Sequence, residues 1–423
     1  MRELFILLTV FLLVGGSHAA IDSTACVQDA ADEGKSVVLT GAEAELVKVV
    51  KEMKEAEADF WTELRELEDP EEQLAYYRTQ NPLSTFLPQL LKIEEKHRGA
   101  DVGLSALVQI TNRTGSGGEL DSPNNRVRPE AIRRMQYYVT HPLFPHLLTS
   151  FSAGTANGRL EGPIRELLTK IPEGTANHRW AQYYLAEYLV TYRKMREAIQ
   201  VLPYPDKEQE RILGTLPSSQ QLLENASEGE FLLEMLSILP PSEFRMPKHD
   251  SKGGDGEGIL LKMAADDAWS NNSVSNRAKG LLFRERYLAE GSPMPEVKVS
   301  LLGSQPWSLE EQRGKVVILM FSFKGCGPCE RMYPVLKEIH KQYSESVEIL
   351  SLLCDPEPEI SAEYAKEKEL AWNVTWDGDH GPQATQWGVT WFPTVFVYDQ
   401  EGKMVGELGD RDLRQLVADL LKE

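Results

Sequence analysis

Cysteine is scarce in this 423-residue chain: only Cys26, Cys326, Cys329 and Cys354 occur. Four thiols are too few for a disulfide-stapled scaffold, so the domains must stand on hydrophobic cores. With no second C-x-x-C and no nearby histidine pair, a structural zinc site is excluded as well. Basic residues are also under-represented, 45 against 65 acidic ones, giving a formal charge of -20. That balance argues against a nucleic-acid groove and against general affinity for anionic membranes. Long apolar runs are missing too. The longest, Leu4 to Val14, is well short of the roughly 20 residues a bilayer-spanning helix needs.

That short run reads as an export signal. Gly15-Gly16-Ser17-His18-Ala19-Ala20 follows it, with small residues where a signal peptidase cuts, so residues 1–20 are expected to be removed after Ala19 or Ala20. Arg2 is offset by Glu3, which makes a weak n-region. No integral membrane span is expected after cleavage, and the mature chain is placed outside the cytoplasm, in a bacterial periplasm or cell envelope, with secretion as the fallback. Asn112, Asn225, Asn271 and Asn373 sit in glycosylation triplets, which would be silent in an exported bacterial protein. The position of Cys26, after Ser23-Thr24-Ala25, does not suit a lipidated cysteine. It is left as free, paired to a partner, or paired with Cys354.

A 41% hydrophobic fraction permits real cores, and the length calls for more than one domain. Residues 21–41 form a leader. From 42 to 290 the pattern is mostly helical, with segments expected over Glu43–Leu67, from Glu71, Phe86–Ile93, Pro129–Tyr138, Gly162–Leu168, Trp180–Ile199, Gln220–Leu239 and Gly280–Ala289. Thr111–Asn125 and Asp250–Gly256 read as loops. Gly291-Ser292-Pro293-Met294-Pro295 is the clearest boundary, since its prolines stop a helix. Beyond it, strands expected at Val297–Leu302, Val316–Phe321, Val347–Leu353 and Trp372–Thr375 alternate with helices at 329–342 and Ile360–Leu370. Short helical turns fall at Ser308–Gln312 and Ala384–Trp387. A hairpin, Thr394–Tyr398 with Lys403–Leu408, and a last helix, Arg411–Leu421, close the chain. The expected architecture is therefore a mostly α-helical N-terminal region followed, over 291–423, by an α/β domain with a mixed central sheet.

Cys326-Gly327-Pro328-Cys329 stands where the apolar strand Val316–Phe321 gives way to a helix. Free backbone N–H groups and the helix dipole at that junction favour thiolate over thiol. Cys326 is the expected attacking thiol, and Cys329, a turn inward, resolves the mixed disulfide. The bland alternative, two core cysteines three apart by chance, does not explain Gly and Pro between them. Pro393, just before the hairpin strand, is expected to follow a cis bond and to bring a backbone edge to Cys326. Phe392, Trp391 and Trp387 are the expected apolar rim for a protein substrate, with Gly327 and Pro328 completing it. Lys324 and Glu330 flank the pair as candidate modulators, although a solvated lysine and a first-turn acid are the plainer readings. Cys354, at a strand end, reads as structural rather than as a third redox thiol.

These residues carry a resemblance. The chain from about Gly291 resembles the thioredoxin-like domain of the TlpA/ResA group, which borders the AhpC/TSA redoxin family. It shares Gly291 to Pro295, Gly314-Lys315-Val316-Val317, the Cys326–Cys329 motif, Pro393 preceded by Gly388-Val389, and the Asp399–Lys403 turn. The resemblance covers under a third of the chain. It implies thiol–disulfide exchange with protein thiols and disulfides, in the reducing direction, with no cofactor and with an electron donor still to be found. Two positions depart from the family: Gly325 stands where tryptophan is usual, and Met320 where many thioredoxins bury an acid. No Pro-x-x-x-Thr-x-x-Cys arrangement surrounds Cys326 or Cys354, so peroxidase chemistry is not expected. The competing function is a partner-binding or scaffold protein whose redox domain serves as a regulatory latch.

Overall fold

A computed structural model describes residues 41–423 except 68, 115–122, 152–159, 194–195, 197–198, 201–208, 211–212, 215, 242, 245–272, 380, 390, 408–411 and 423. The signal segment, Cys26, Asn271 and the Asp250–Gly256 loop lie outside the described residues. Two compact units emerge: 41–232 with 244, and 233–243 with 273–423.

The first unit is helical. Its helices include Gly41–Glu66, Pro70–Gln80, Leu83–Lys96, Asp101–Arg113, Pro123–Arg134, Glu161–Leu168 and Ala176–Tyr192. The helix Gly41–Glu66 buries Leu46, Val50, Met53 and Phe60 along one stripe and leaves its charges outside, as an amphipathic surface helix should. Asp101–Arg113, a segment left unassigned in the reading of the sequence, buries every residue from Val102 to Thr111. Glu94 within this unit is fully buried. It takes hydrogen bonds from Arg134 (2.6 Å), Arg98 (3.1 Å) and the Tyr138 hydroxyl (3.2 Å).

The second unit holds the sheet. Its strands are β1 (Lys298–Ser300), β2 (Pro306–Ser308), β3 (Val316–Ser322), β4 (Val347–Leu353), β5 (Asn373–Trp376), β6 (Thr394–Tyr398) and β7 (Met404–Glu407). Five of them form one mixed sheet in the order β5-β4-β3-β6-β7. The pairs β3–β4 and β4–β5 are parallel, whereas β6 runs antiparallel to both β3 and β7. Every residue of β3 is buried, which explains why its sequence is continuously apolar rather than alternating. The short β2, opened by Pro306, pairs with β1 in a separate hairpin that the sequence did not suggest.

Side chains from β3 divide between two cores. Val316, Ile318 and Met320 face one side, with Tyr333, Leu336 and Ile339 of the Gly327–Tyr343 helix. Val317, Leu319 and Phe321 face the other, with Trp387, Phe396 and Tyr398. Both cysteines of the C-x-x-C pair belong to the first core; Cys354 belongs to the second.

Candidate functional site

The site forms where β3 ends and the Gly327–Tyr343 helix begins. Cys326 is the N-cap residue of that helix, and its sulfur accepts the backbone N–H of Cys329 at 3.2 Å. Pro328 occupies the first turn, where no intrahelical N–H is required of it. Cys326 and Cys329 are joined as a disulfide, with Cα atoms 5.2 Å apart. Cys329 is fully buried and Cys326 only 4% exposed. In this oxidised state the first cysteine is thus more covered than the sequence suggested, although Gly325, Gly327 and Pro328 around it are exposed.

Gly325 explains the missing tryptophan. Its φ is +88°, in the region that side-chain-bearing residues avoid, and a Cβ added there would meet nothing within 4 Å. A conformational demand rather than crowding keeps glycine here.

Behind the sulfurs the core carries no acid at position 320: Met320 is fully buried among apolar groups. Its polar members are hydroxyls instead. Ser322 Oγ and the Tyr333 hydroxyl lie 2.8 Å apart, and burial pushes the Tyr333 phenol above its usual range. Glu330 keeps the first-turn position expected of it, with its side chain 38% exposed, while accepting from the Tyr364 hydroxyl at 3.2 Å and pairing with Lys368 at 3.2 Å. Lys324 has an exposed side chain, but its backbone N–H is anchored to Asp355 at 2.8 Å. Asp355 is 2% exposed and also takes the Ser361 hydroxyl at 2.6 Å. It ties the loop preceding Cys326 to the β4 exit. The sequence showed Asp355 only as the neighbour of Pro356, and its one available signal was its position at a strand end in an α/β sheet, where functional loops gather.

The second wall is the segment entering β6. The Phe392–Pro393 peptide is cis, as the motif led us to expect. Phe392 packs edge-on against Phe323 with ring centroids 5.2 Å apart, which brings this segment beside the cysteine loop. Trp391 is 38% exposed and suits a rim position. Trp387 does not. It is 1% exposed and packs against Phe396 and Phe321 in the opposite core, so its nearness in sequence to Pro393 does not bring it to the surface. Cys354 sits in that same opposite core, where burial first and the nearby Asp377 carboxylate second push its thiol well above the ordinary range. A thiol kept protonated on the far side of the sheet is structural.

Among the described residues, no group of three or more His, Cys, Asp or Glu side chains is placed to hold a metal, and no helix is long and apolar enough to cross a membrane.

Comparison with known proteins gives the same part of the chain an ancestry. Residues 291–406 match the AhpC/TSA family. The thiol-disulfide oxidoreductase ResA of Bacillus cereus (strain ZK / E33L) is 33% identical over 135 residues, spanning 31% of this chain and 77% of that protein. ResA of Bacillus thuringiensis subsp. konkukian is 28% identical over 146 residues, 34% of this chain and 84% of its own length. Among solved structures, a putative thiol:disulfide interchange protein DsbE from Chlorobium tepidum shares 23% identity over 32% of this chain and 99% of its own, with a TM-score of 0.29. Through its C-terminal third, the protein belongs to the AhpC/TSA family, among the thiol–disulfide oxidoreductases.

Proposed function

We propose that the protein reduces disulfides of other proteins in an extracytoplasmic compartment, through Cys326 and Cys329. The observation that carries this is the placement of Cys326: an N-cap cysteine whose sulfur already accepts a helix N–H, bonded to a partner one turn inward. A sulfur that accepts that bond is stabilised as thiolate once reduced, and the open end of the helix dipole adds to the effect.

In the reduced protein the Cys326 thiolate attacks one sulfur of a substrate disulfide. The Cys326–substrate bond forms as the substrate S–S bond breaks, and the departing substrate thiolate takes a proton. Cys329, losing its proton, then attacks the Cys326 sulfur, forming the bond seen here and releasing the second substrate thiol. Two electrons pass to the substrate, and a dithiol donor must return them. With Met320 in the usual acid position, no buried carboxylate at 320 takes the proton of Cys329, which leaves to water or another carboxylate. Lys324 supplies positive charge on the loop beside Cys326, while the Glu330 carboxylate is paired with Lys368 and takes the Tyr364 hydroxyl. Phe392, Trp391, Gly327 and Pro328 form the docking rim. Placement outside the cytoplasm is supported by the apolar segment and small-residue cleavage pattern of residues 1–20.

The test is insulin disulfide reduction driven by dithiothreitol. The wild-type protein should accelerate it, Cys326→Ser should fall to the uncatalysed rate, and Cys329→Ser should accumulate a mixed disulfide. Equal rates for wild type and Cys326→Ser would remove the enzymatic reading and favour the partner-binding one.

A further inference from the structure

The helix Val274–Tyr287 lies ahead of the residues that match the AhpC/TSA family, yet it packs on the segment leading to the docking rim. The contact is backbone to backbone. A Cβ on Gly280 would meet Gly388 Cα at 2.7 Å and the Thr385 carbonyl at 2.9 Å, and a Cβ on Gly388 would meet Arg284 Cδ at 2.9 Å. Only two glycines allow this approach, and Gly388 also needs its φ of +60°. Phe283 adds a ring contact to Trp387 at 5.5 Å, fastening the helix to the buried side of the same segment.

One turn along from Gly280, Arg284 reaches toward the rim. Its guanidinium carbon lies 5.7 Å from the Trp391 ring centroid and 5.8 Å from that of Phe396. Phe396 is fully buried in the sheet, whereas Trp391 is 38% exposed. Arg284 therefore bridges a fixed ring and an exposed one. The Trp391 carbonyl is held separately, by the Thr394 hydroxyl at 2.7 Å. With its backbone pinned at one end and its ring set against a cation, Trp391 is a prepared surface rather than a loose side chain.

We infer that Arg284 is a positioning residue: from a helix outside the family domain, it holds Trp391 in the orientation that receives an extended polypeptide next to Cys326. This rests on the redox reading above for the identity of what docks, a protein chain carrying a disulfide. A small disulfide has no extended chain to lay along Trp391, so the helix sets preference for protein over small-molecule substrates. Lysine at 284 would keep the charge but lose the broad, planar guanidinium that lies within reach of both rings.

Two measurements on the full-length protein test the inference. Hydrogen exchange over residues 387–394 should be faster in Arg284→Ala than in wild type, whether or not the protein is active. In the dithiothreitol-driven assay, the KM for insulin should rise about two- to fivefold more than the KM for hydroxyethyl disulfide, the scale of one half-exposed cation–π contact. Trp391→Ala should shift that ratio likewise, and the double variant should shift it no further than the larger single change. Arg286→Ala, on the same helix but paired with Glu234, should leave the ratio and the exchange unchanged. If Arg284→Ala does not fold, Arg284→Lys gives the same reading at smaller amplitude. Unchanged exchange at 387–394, equal KM changes for the two substrates, or additive effects in the double variant would each overturn the inference. A wild type inactive on both substrates would sink the redox reading instead, and exchange would still decide whether Arg284 holds the loop.

Discussion

The two units satisfy buried carboxylates in opposite ways. In the helical unit, Glu94 is fully enclosed and answered by two arginines and a tyrosine. In the redox unit, Asp355 is held by the Lys324 backbone N–H and the Ser361 hydroxyl, and Asp377 by the backbone N–H groups of Gln383 and Ala384. The difference follows from architecture. Inside a helical bundle almost every N–H is spent on its own helix, so a buried acid must recruit side chains, and arginine is the one that reaches and stays charged. Where strands end and helices begin, free N–H groups point into the protein, and acids there are met by neutral donors. At Asp377 two neutral donors do not offset burial in full: burial holds its carboxyl above the usual aspartate range, while the two N–H bonds pull it partly back. As pH rises from the unfolded value of 3.8 through that raised value, Asp377 withdraws stability from the redox unit.

The sharpest way to break this comparison is to remove each acid. Glu94→Ala takes from Arg134, which is 14% exposed, its one buried carboxylate, leaving it Glu130 at 2.7 Å and Glu95 at 3.9 Å. We expect a loss of about 3–5 kcal/mol in denaturant unfolding, the usual result of removing one member of a buried pair. Asp355→Ala leaves only a backbone N–H and a hydroxyl without their acceptor, and should cost about 1–3 kcal/mol. The conservative variants sharpen the contrast. Asp355→Asn keeps an acceptor for the Lys324 N–H and should recover most of that loss, whereas Glu94→Gln keeps the shape but not the charge and should recover little. Equal costs for Glu94→Ala and Asp355→Ala would show that donor charge is not what separates the two units.

The same contrast governs how much could be read in advance. Strands β4 and β6 coincide with the expected Val347–Leu353 and Thr394–Tyr398, because uninterrupted β-branched and aromatic runs bounded by turn residues carry a local signal. The cysteine pair and Pro393 were legible for the same reason, since their chemistry is written in spacing. Asp355 was not, because its role depends on Lys324 and Ser361, which only the folded chain brings to it. Trp387 was assigned to the rim from sequence proximity alone; a one-dimensional distance to Pro393 does not say which face of the sheet a side chain takes. Arg284 was invisible for a further reason, lying outside every stretch that resembles the family. In the helical unit, Glu94 gave no hint that it was buried rather than solvated, because its partners Arg98, Arg134 and Tyr138 meet it only in the folded chain.

A surface pair in the helical unit supplies the gentlest probe, since it uses the same arginine–carboxylate chemistry without burial. Arg165 grips both oxygens of Glu228, at 2.8 and 2.6 Å, and also bonds Glu161 at 2.9 Å. The Arg165 hydrogen bonds hold the Glu228 carboxyl below its ordinary value of 4.5. A depressed folded value means that this contribution is complete above the unfolded value and is lost as pH falls through the lower one. Glu228→Gln should therefore be less stable than wild type at pH 7, and the two should converge as pH drops below about 4.5, where the wild-type carboxyl takes up its proton. Because both side chains are more than a third exposed, 38% and 42%, the gap at neutral pH should stay under about 1 kcal/mol and shrink in high salt. Urea melts of both proteins at pH 7 and pH 3, each with and without added salt, measure it directly. A gap as large as that of Glu94→Ala would mean that geometry alone, not enclosure, makes these arginine pairs strong.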